Sequence, residues 1–202
     1  SMQNSLPIES HPFGQFLPPH SQVLMMGTMP PTPDKWCMNF HYPNFYNDMW
    51  RIFGEVFFAD KDYFRVGDEK RFDAEKIKAF LTAKGIGECP TVNKAIREKG
   101  NAADEHLTVV ETVDLTAVLP KVPAVTWLFT TGGKATEVLI SVINAQTDAR
   151  YRVPKTNAYI EVEIAGRKLG VYRLPSSSRA YPLKFEKKVA AYQTFFELAG
   201  LL

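Results

Sequence analysis

The stretch "VTWLFTTGGKATEVLISVI", Val125 to Ile143, decides the fold class. Its first part, Val125 to Thr130, is a continuous run of apolar, β-branched and aromatic side chains, the composition of a strand buried on both faces. Gly132-Gly133 then breaks the run, and the spacing from there to Ile143 predicts a helix. A strand, a glycine turn and a helix make one β-loop-α unit. The turn is not a nucleotide phosphate loop: the pattern requires a glycine five residues before Gly133, and that place is Leu128.

The same reading extends in both directions. Val23 to Met26 predicts a second buried strand, and Asn47-Asp48 supplies a helix start ahead of Met49, Trp50, Ile52, Phe53, Val56 and Phe57. Asp73 opens a helix with Ile77, Phe80 and Leu81 inward, and Gly85 closes it. Asp114 to Leu119 reads as a short helix or turn. Tyr159 to Ile164 alternates as a half-buried strand would, residues 165 to 167 turn, and Lys168 to Tyr172 returns as another. Residues from about Pro182 to Ala199 form an amphipathic helix with Phe185, Val189, Tyr192, Phe195 and Phe196 on its inner side. The Pro-rich start, within residues 1–20, is expected to be an extended lead-in. Strands alternating with helices predict an α/β fold: a three-layer α/β/α sandwich with a central, mostly parallel sheet, in a single domain over residues 1–202.

Composition narrows the function. At 45% hydrophobic residues, the 202-residue chain can fill one sizeable core. Its longest apolar runs, such as Val138 to Ile143, are far too short to cross a bilayer, so no membrane partner and a cytoplasmic location are expected. Cys37 and Cys89 have no cysteine or histidine at metal-binding spacing, and the four histidines are scattered, so neither a metal nor another cofactor is expected. Of the histidines only His41 is near the candidate site, and it reads as solvated. Net charge is +2, but residues 150–188 carry ten basic side chains against three acidic ones. Such a bias suits either a solvated face or a nucleic-acid surface.

In open α/β sheets, ligands bind beyond the carboxyl ends of the strands. That rule singles out the loop from Gly27 to Asn47 and the loop from Leu174 to Tyr181. The first is long and rich in rings, "GTMPPTPDKWCMNFHYPNFYN", and Trp36, Phe40, Tyr42, Phe45 and Tyr46 are not spaced for one face of any regular element. Such rings either plug the loop onto the sheet or stack on a planar ligand. The second loop, "LPSSSRAY", offers three hydroxyls and an arginine that can hold phosphate oxygens.

Taken together, the two loops resemble those of the uracil-DNA glycosylase superfamily. "GTMPP" from Gly27 matches its first motif, Gly-x-x-Pro; "LPSSSR" from Leu174 matches its second; "FTTGGKAT" from Phe129 matches the helix start between them. "YPNFYNDMW", Tyr42 to Trp50, is similar to the stretch leading into the first helix of the mismatch-specific and hypoxanthine branches. The resemblance implies a monomeric, metal-independent enzyme that hydrolyses the N-glycosidic bond of a damaged or deaminated base flipped out of DNA. It implies stacking by Tyr42 with Phe40 and base-edge contacts from Gly27, Thr28 and Met29. Asn47 would read the base or position water, and Asp48 is the nearest carboxylate to act as a base or, alternatively, a helix cap. Ser176, Ser177 and Ser178 would grip phosphates, while Arg179 and Tyr181 would enter the space the base vacates. Met29 departs from the pattern, standing where classical uracil enzymes carry an Asp or Asn that handles the water. That departure supports a rival: a nucleic-acid-binding protein of the same fold without hydrolysis. An enzyme of free nucleosides, needing neither Arg179 nor a basic surface, is the third reading.

Overall fold

The structure, a computed structural model, describes residues 6–101 and 103–202. Its centre is a five-stranded sheet built from β2 (Val23–Met26), β3 (Ile86–Glu88), β6 (Trp127–Thr131), β7 (Tyr159–Ile164) and β8 (Arg167–Leu174), in the order β3-β2-β6-β8-β7. The first four neighbours in that order run parallel, and β7 pairs antiparallel with β8 at one edge. The sheet is thus mostly parallel, as the alternation of strands and helices predicts.

Strand alternation sorts the side chains into two cores. Val23 and Met25 of β2, with Phe129 and Tyr172, face a core filled by α1 (Met49–Phe58), α2 (Ala74–Lys84) and α5 (Phe185–Leu198) through Trp50, Phe53, Ile77, Leu81, Phe195 and Phe196. Leu24, Met26, Leu128 and Val171 face the opposite side, against α3 (Leu115–Val118) and α4 (Gly133–Thr147) through Leu115, Leu139, Ile140 and Ile143. Helices on both faces of one sheet complete the three-layer α/β/α sandwich. Among the described residues no helix is long and apolar enough to cross a membrane.

Local chemistry sets the helix ends. The Asp73 carboxylate accepts from the Lys76 amide at the start of α2, and Gly85, at φ 81°, closes it. Before α4 the chain passes through Gly132 at φ 106°, a conformation a side chain would strain, which is why a glycine is required there. The predicted helix ends at Ile143, whereas α4 continues to Thr147; α5 starts at Phe185, three residues after the predicted Pro182.

Besides β3 of the main sheet, a second sheet and a fixed lead-in lie outside the predicted elements. β1 (Glu9–Ser10), β4 (Val92–Arg97) and β5 (Leu107–Thr112) form a separate antiparallel sheet in the order β1-β4-β5. The lead-in is therefore stitched to the body: β1 pairs with β4, and Phe16 exchanges backbone hydrogen bonds with Glu88 at 2.9 and 2.7 Å.

Candidate active site

The carboxyl ends of β3, β2, β6 and β8 open onto one cleft of about 200 Å³. Gly27, Thr28, Met29, Pro30 and Pro31 line it from the loop after β2, Glu88 from the end of β3, and Thr131 from the end of β6. Tyr42, Asn44 and Asn47 come from the approach to α1, and Ser176, Ser177 and Ser178 from the loop after β8. Segments more than a hundred positions apart thus share one wall-to-wall space.

The first loop is held from outside the cleft. The Thr91 amide and hydroxyl donate to the Gly27 carbonyl at 2.8 and 3.0 Å, and Arg97, itself paired with Glu9 at 3.0 Å, donates to the Pro30 carbonyl at 2.6 Å. Gly27 is a glycine because of what lies over it: a Cβ there would stand 2.6 Å from the Tyr42 hydroxyl. Tyr42 is half-buried, sits at a left-handed φ of 54° and shares a 2.7 Å hydrogen bond with Thr131. Its ring meets the Trp50 ring edge-on, and the Trp50 indole N–H donates to the His41 carbonyl at 3.0 Å. A rare backbone conformation anchored by three neighbours is a feature of positioned functional side chains.

Asn47 lines the cleft while its Oδ1 accepts from the Met49 amide at 2.9 Å, which helps start α1. With Oδ1 engaged there, the Nδ2 group is the part of the carboxamide that can donate into the cleft. The serine loop is fixed in the same manner: Ser176 Oγ accepts from the Ser178 amide at 3.1 Å and Ser178 Oγ from the Ala180 amide at 3.2 Å. Each hydroxyl keeps a proton to donate.

Two expected site residues sit elsewhere. Phe40, 4% exposed, does not line the cleft; it is packed edge-on against Phe16 and His41 and stacked on Trp50. A ring on that side of the loop is drawn into the core, whereas Tyr42, two residues on, faces the opening. Asp48 is buried and does not line the cleft either. Its amide donates to the Ser177 carbonyl at 3.0 Å, and its carboxylate takes Lys188 Nζ at 3.1 Å and Arg179 Nε at 3.2 Å. It makes no side-chain cap on α1, so both expected roles, base and cap, give way to an ionic clamp between α1, the serine loop and α5. Arg179 and Tyr181 are exposed, and Arg179 lies over the exposed Tyr46 ring at 5.5 Å.

The cleft also holds groups the sequence reading passed over. His41 is 4% exposed rather than solvated, and Glu88 is 1% exposed; His41 Nδ1 lies 3.7 Å from Glu88 Oε2. Burial first, and then the nearby His11, hold the His41 imidazole down to about 3; burial and then Arg97 hold His11 down to about 4. Burial pushes the Glu88 carboxyl well above the ordinary carboxylate range. The His41–Glu88 contact is therefore one between uncharged groups, not an ion pair. His11 Nδ1 accepts from the Phe13 and Gly14 amides at 3.2 and 3.1 Å, so its neutral ring carries the proton on Nε2. The signal for Glu88 was present in "IGECP": a carboxylate at the end of an apolar triplet that leads into a proline.

No family model and no curated protein matches the sequence. Among solved structures, the chain is similar to the solution structure of a "putative Uracil DNA glycosylase" from Methanosarcina acetivorans, with a TM-score of 0.64 and 18% identity over 96% of this chain and 99% of that one. At that identity the shared property is the fold, and the chain has the uracil-DNA glycosylase-type α/β/α architecture that its loop motifs implied.

Proposed function

We propose that this chain is a DNA N-glycosylase that releases a deaminated base, of the uracil or hypoxanthine type, by hydrolysing its bond to the sugar. The observation that carries the reading is the convergence of the Gly27–Pro31 loop, Tyr42, Asn47 and Ser176–Ser178 on one open cleft at the carboxyl ends of the sheet. A base inside a duplex is out of reach, so it must be extruded, and a mispaired base costs less to extrude. The Tyr42 ring offers a face for stacking, the Thr28 and Met29 backbone faces the base edge, and the Asn47 amide donates to a base carbonyl. Ser176 and Ser178 hold the flanking phosphates, with Arg179 and Tyr181 on the rim beside the gap left in the duplex.

As the C1′–N bond breaks, its electron pair leaves with the base and positive charge grows on the sugar. Fixed donors aimed at the departing base lower that barrier. With Met29 in the first motif and the Asp48 oxygens occupied by Lys188 and Arg179, no carboxylate near Asn47 among the described residues serves as a strong base. Base departure therefore leads; water then adds to the sugar cation and its proton passes to the departed base anion. The same two features favour the second reading, a DNA-binding protein of this fold that does not hydrolyse. Duplexes carrying a single uracil, hypoxanthine or xanthine, incubated with enzyme in excess and then treated with alkali, separate the two. Strand scission at the modified position is expected; tight, salt-sensitive binding without scission would support the binding protein instead.

A further inference from the structure

The lead-in reaches the cleft through His11, which follows β1 and lines the wall shared with His41, the two ring centroids 5.3 Å apart. The segment is fixed there: β1 pairs with β4, the His11 amide donates to the Asn93 carbonyl at 2.8 Å, and Glu9 holds Arg97, which donates to the Pro30 carbonyl of the first loop. The ring is set by hydrogen bonds as well as by packing. Its Nδ1 accepts from both the Phe13 and Gly14 amides, at 3.2 and 3.1 Å, so a proton on Nδ1 would face two N–H groups and the proton stays on Nε2. Burial and then Arg97 hold the imidazole down to about 4, in keeping with that neutral form. Nε2 makes no hydrogen bond among the described residues, and unlike His41 Nε2 it is not fully buried. The result is one positioned, unpartnered N–H on the wall of a cleft that, among the described residues, no lysine or arginine lines.

We propose that His11 is a catalytic residue, its Nε2–H donating to the carbonyl oxygen of the base on which negative charge gathers as the C1′–N bond breaks. The inference rests on the base-release reading and adds to it a residue from outside both motif loops. His11 keeps its proton throughout. The electron pair of the broken bond goes to the base, the hydrogen bond strengthens as the oxygen charges, and the proton that finally neutralises the base comes from the added water. A neutral donor holds the uncharged base weakly and the departing anion strongly, so the contact lowers the barrier more than it tightens binding. His41 cannot take this part, because its Nε2 is sealed by its neighbours.

The test compares the rate at which enzyme in excess releases uracil or hypoxanthine from a duplex with the affinity for a duplex whose 2′-fluorinated deoxyuridine is not cleaved. Two substitutions separate the ring's nitrogens. His11→Asn keeps an acceptor for the Phe13 and Gly14 amides but is too short to donate into the cleft; His11→Gln places an amide N–H near the position of Nε2 and gives up that acceptor. His11→Asn is expected to slow release about 100-fold with affinity within about threefold of the unaltered chain, and His11→Gln to recover about tenfold of that loss. A residue that only holds the lead-in turn would show the reverse order. Nitrogen NMR of the unaltered chain should find the His11 proton on Nε2 and move it downfield when the uncleaved duplex binds. Full release by His11→Asn, slower release by His11→Gln than by His11→Asn, a loss confined to affinity, a proton on Nδ1 or a His11 signal unmoved by the duplex would overturn the role of His11 and leave base release standing. No release by the unaltered chain from any duplex would sink the base-release reading itself, and this role with it.

Discussion

Tyr42 and Gly27 are two halves of one device, since the phenol lies where any side chain at position 27 would stand. Gly27→Ala should displace the ring and lower base release sharply, and Tyr42→Phe in the same chain, by removing the 2.6 Å clash, should restore part of it. Failure of that rescue would separate the ring from the loop. Tyr42→Ala removes the stacking face and is expected to weaken binding of a flipped base by about 1–3 kcal/mol, roughly 5- to 150-fold, measured on an oligonucleotide with one deaminated base. Asn47→Ala should abolish release while costing no more stability than a helix start is worth, about 0.5–2 kcal/mol by melting. Retained activity would remove Asn47 from the site. Burial at the cleft floor also fixes a pH response. His41 and His11 stay neutral when folded down to about 3 and 4, but the unfolded chain protonates them near 6.5, so stability falls as pH drops from about 6.5. Glu88 acts in the other direction: it ionises near 4.5 unfolded and well above that folded, so its contribution weakens as pH rises from 4.5 through its folded value. Melting midpoints between pH 7 and 4.5 should decline, and His41→Phe should flatten the slope.

Between elements, the decisive contact is the buried clamp of Asp48, at the start of α1, with Lys188 of α5. Lys188 is 1% exposed, and its Nζ also donates to the Ser178 carbonyl at 2.8 Å, so one ammonium locates the helix start and the serine loop together. Removing one partner strands a buried charge. Lys188→Met should cost about 3–5 kcal/mol in chemical denaturation, and Asp48→Asn in that background should recover part of the loss. An additive pair would mean that the two charges do not interact. This clamp was illegible in the sequence, because Asp before a helix reads as a cap and the partner lies 140 positions away. The elements themselves were legible where their pattern is long: β2, β6, α1, α2 and α4 follow from apolar runs, Asp73, Gly85 and Gly132. Short pieces were not. β3 has three residues and β1 two, too few for any period to show, and their partners are distant in sequence. With β3 went Glu88. Phe40 and Tyr42 stand in the same ring-rich loop, and spacing does not tell which ring turns inward.

At the scale of the molecule, the cleft must face a charged backbone. Of the ten basic residues between 150 and 188, Arg167 is spent on the Leu119, Val122 and Val125 carbonyls, Arg173 is bonded to the Pro154 carbonyl and Lys188 is buried, while the other seven are exposed. Those exposed on the DNA side set the salt response, since each phosphate neutralised contributes about −0.9 to the slope of log K against log salt. Duplex affinity should therefore fall steeply between low and physiological salt, whereas an enzyme of free nucleosides would show a flat response. The central claim, that a base everted from DNA occupies the cleft, is tested most directly by a crystal structure of the chain with a duplex carrying one 2′-fluorinated deoxyuridine, whose sugar bond resists hydrolysis. The uracil is expected outside the helix, between the Gly27–Pro31 loop and the Tyr42 ring, with Ser176 and Ser178 on the flanking phosphates. A uracil still stacked in the duplex, or DNA seated on another face of the sandwich, would contradict it.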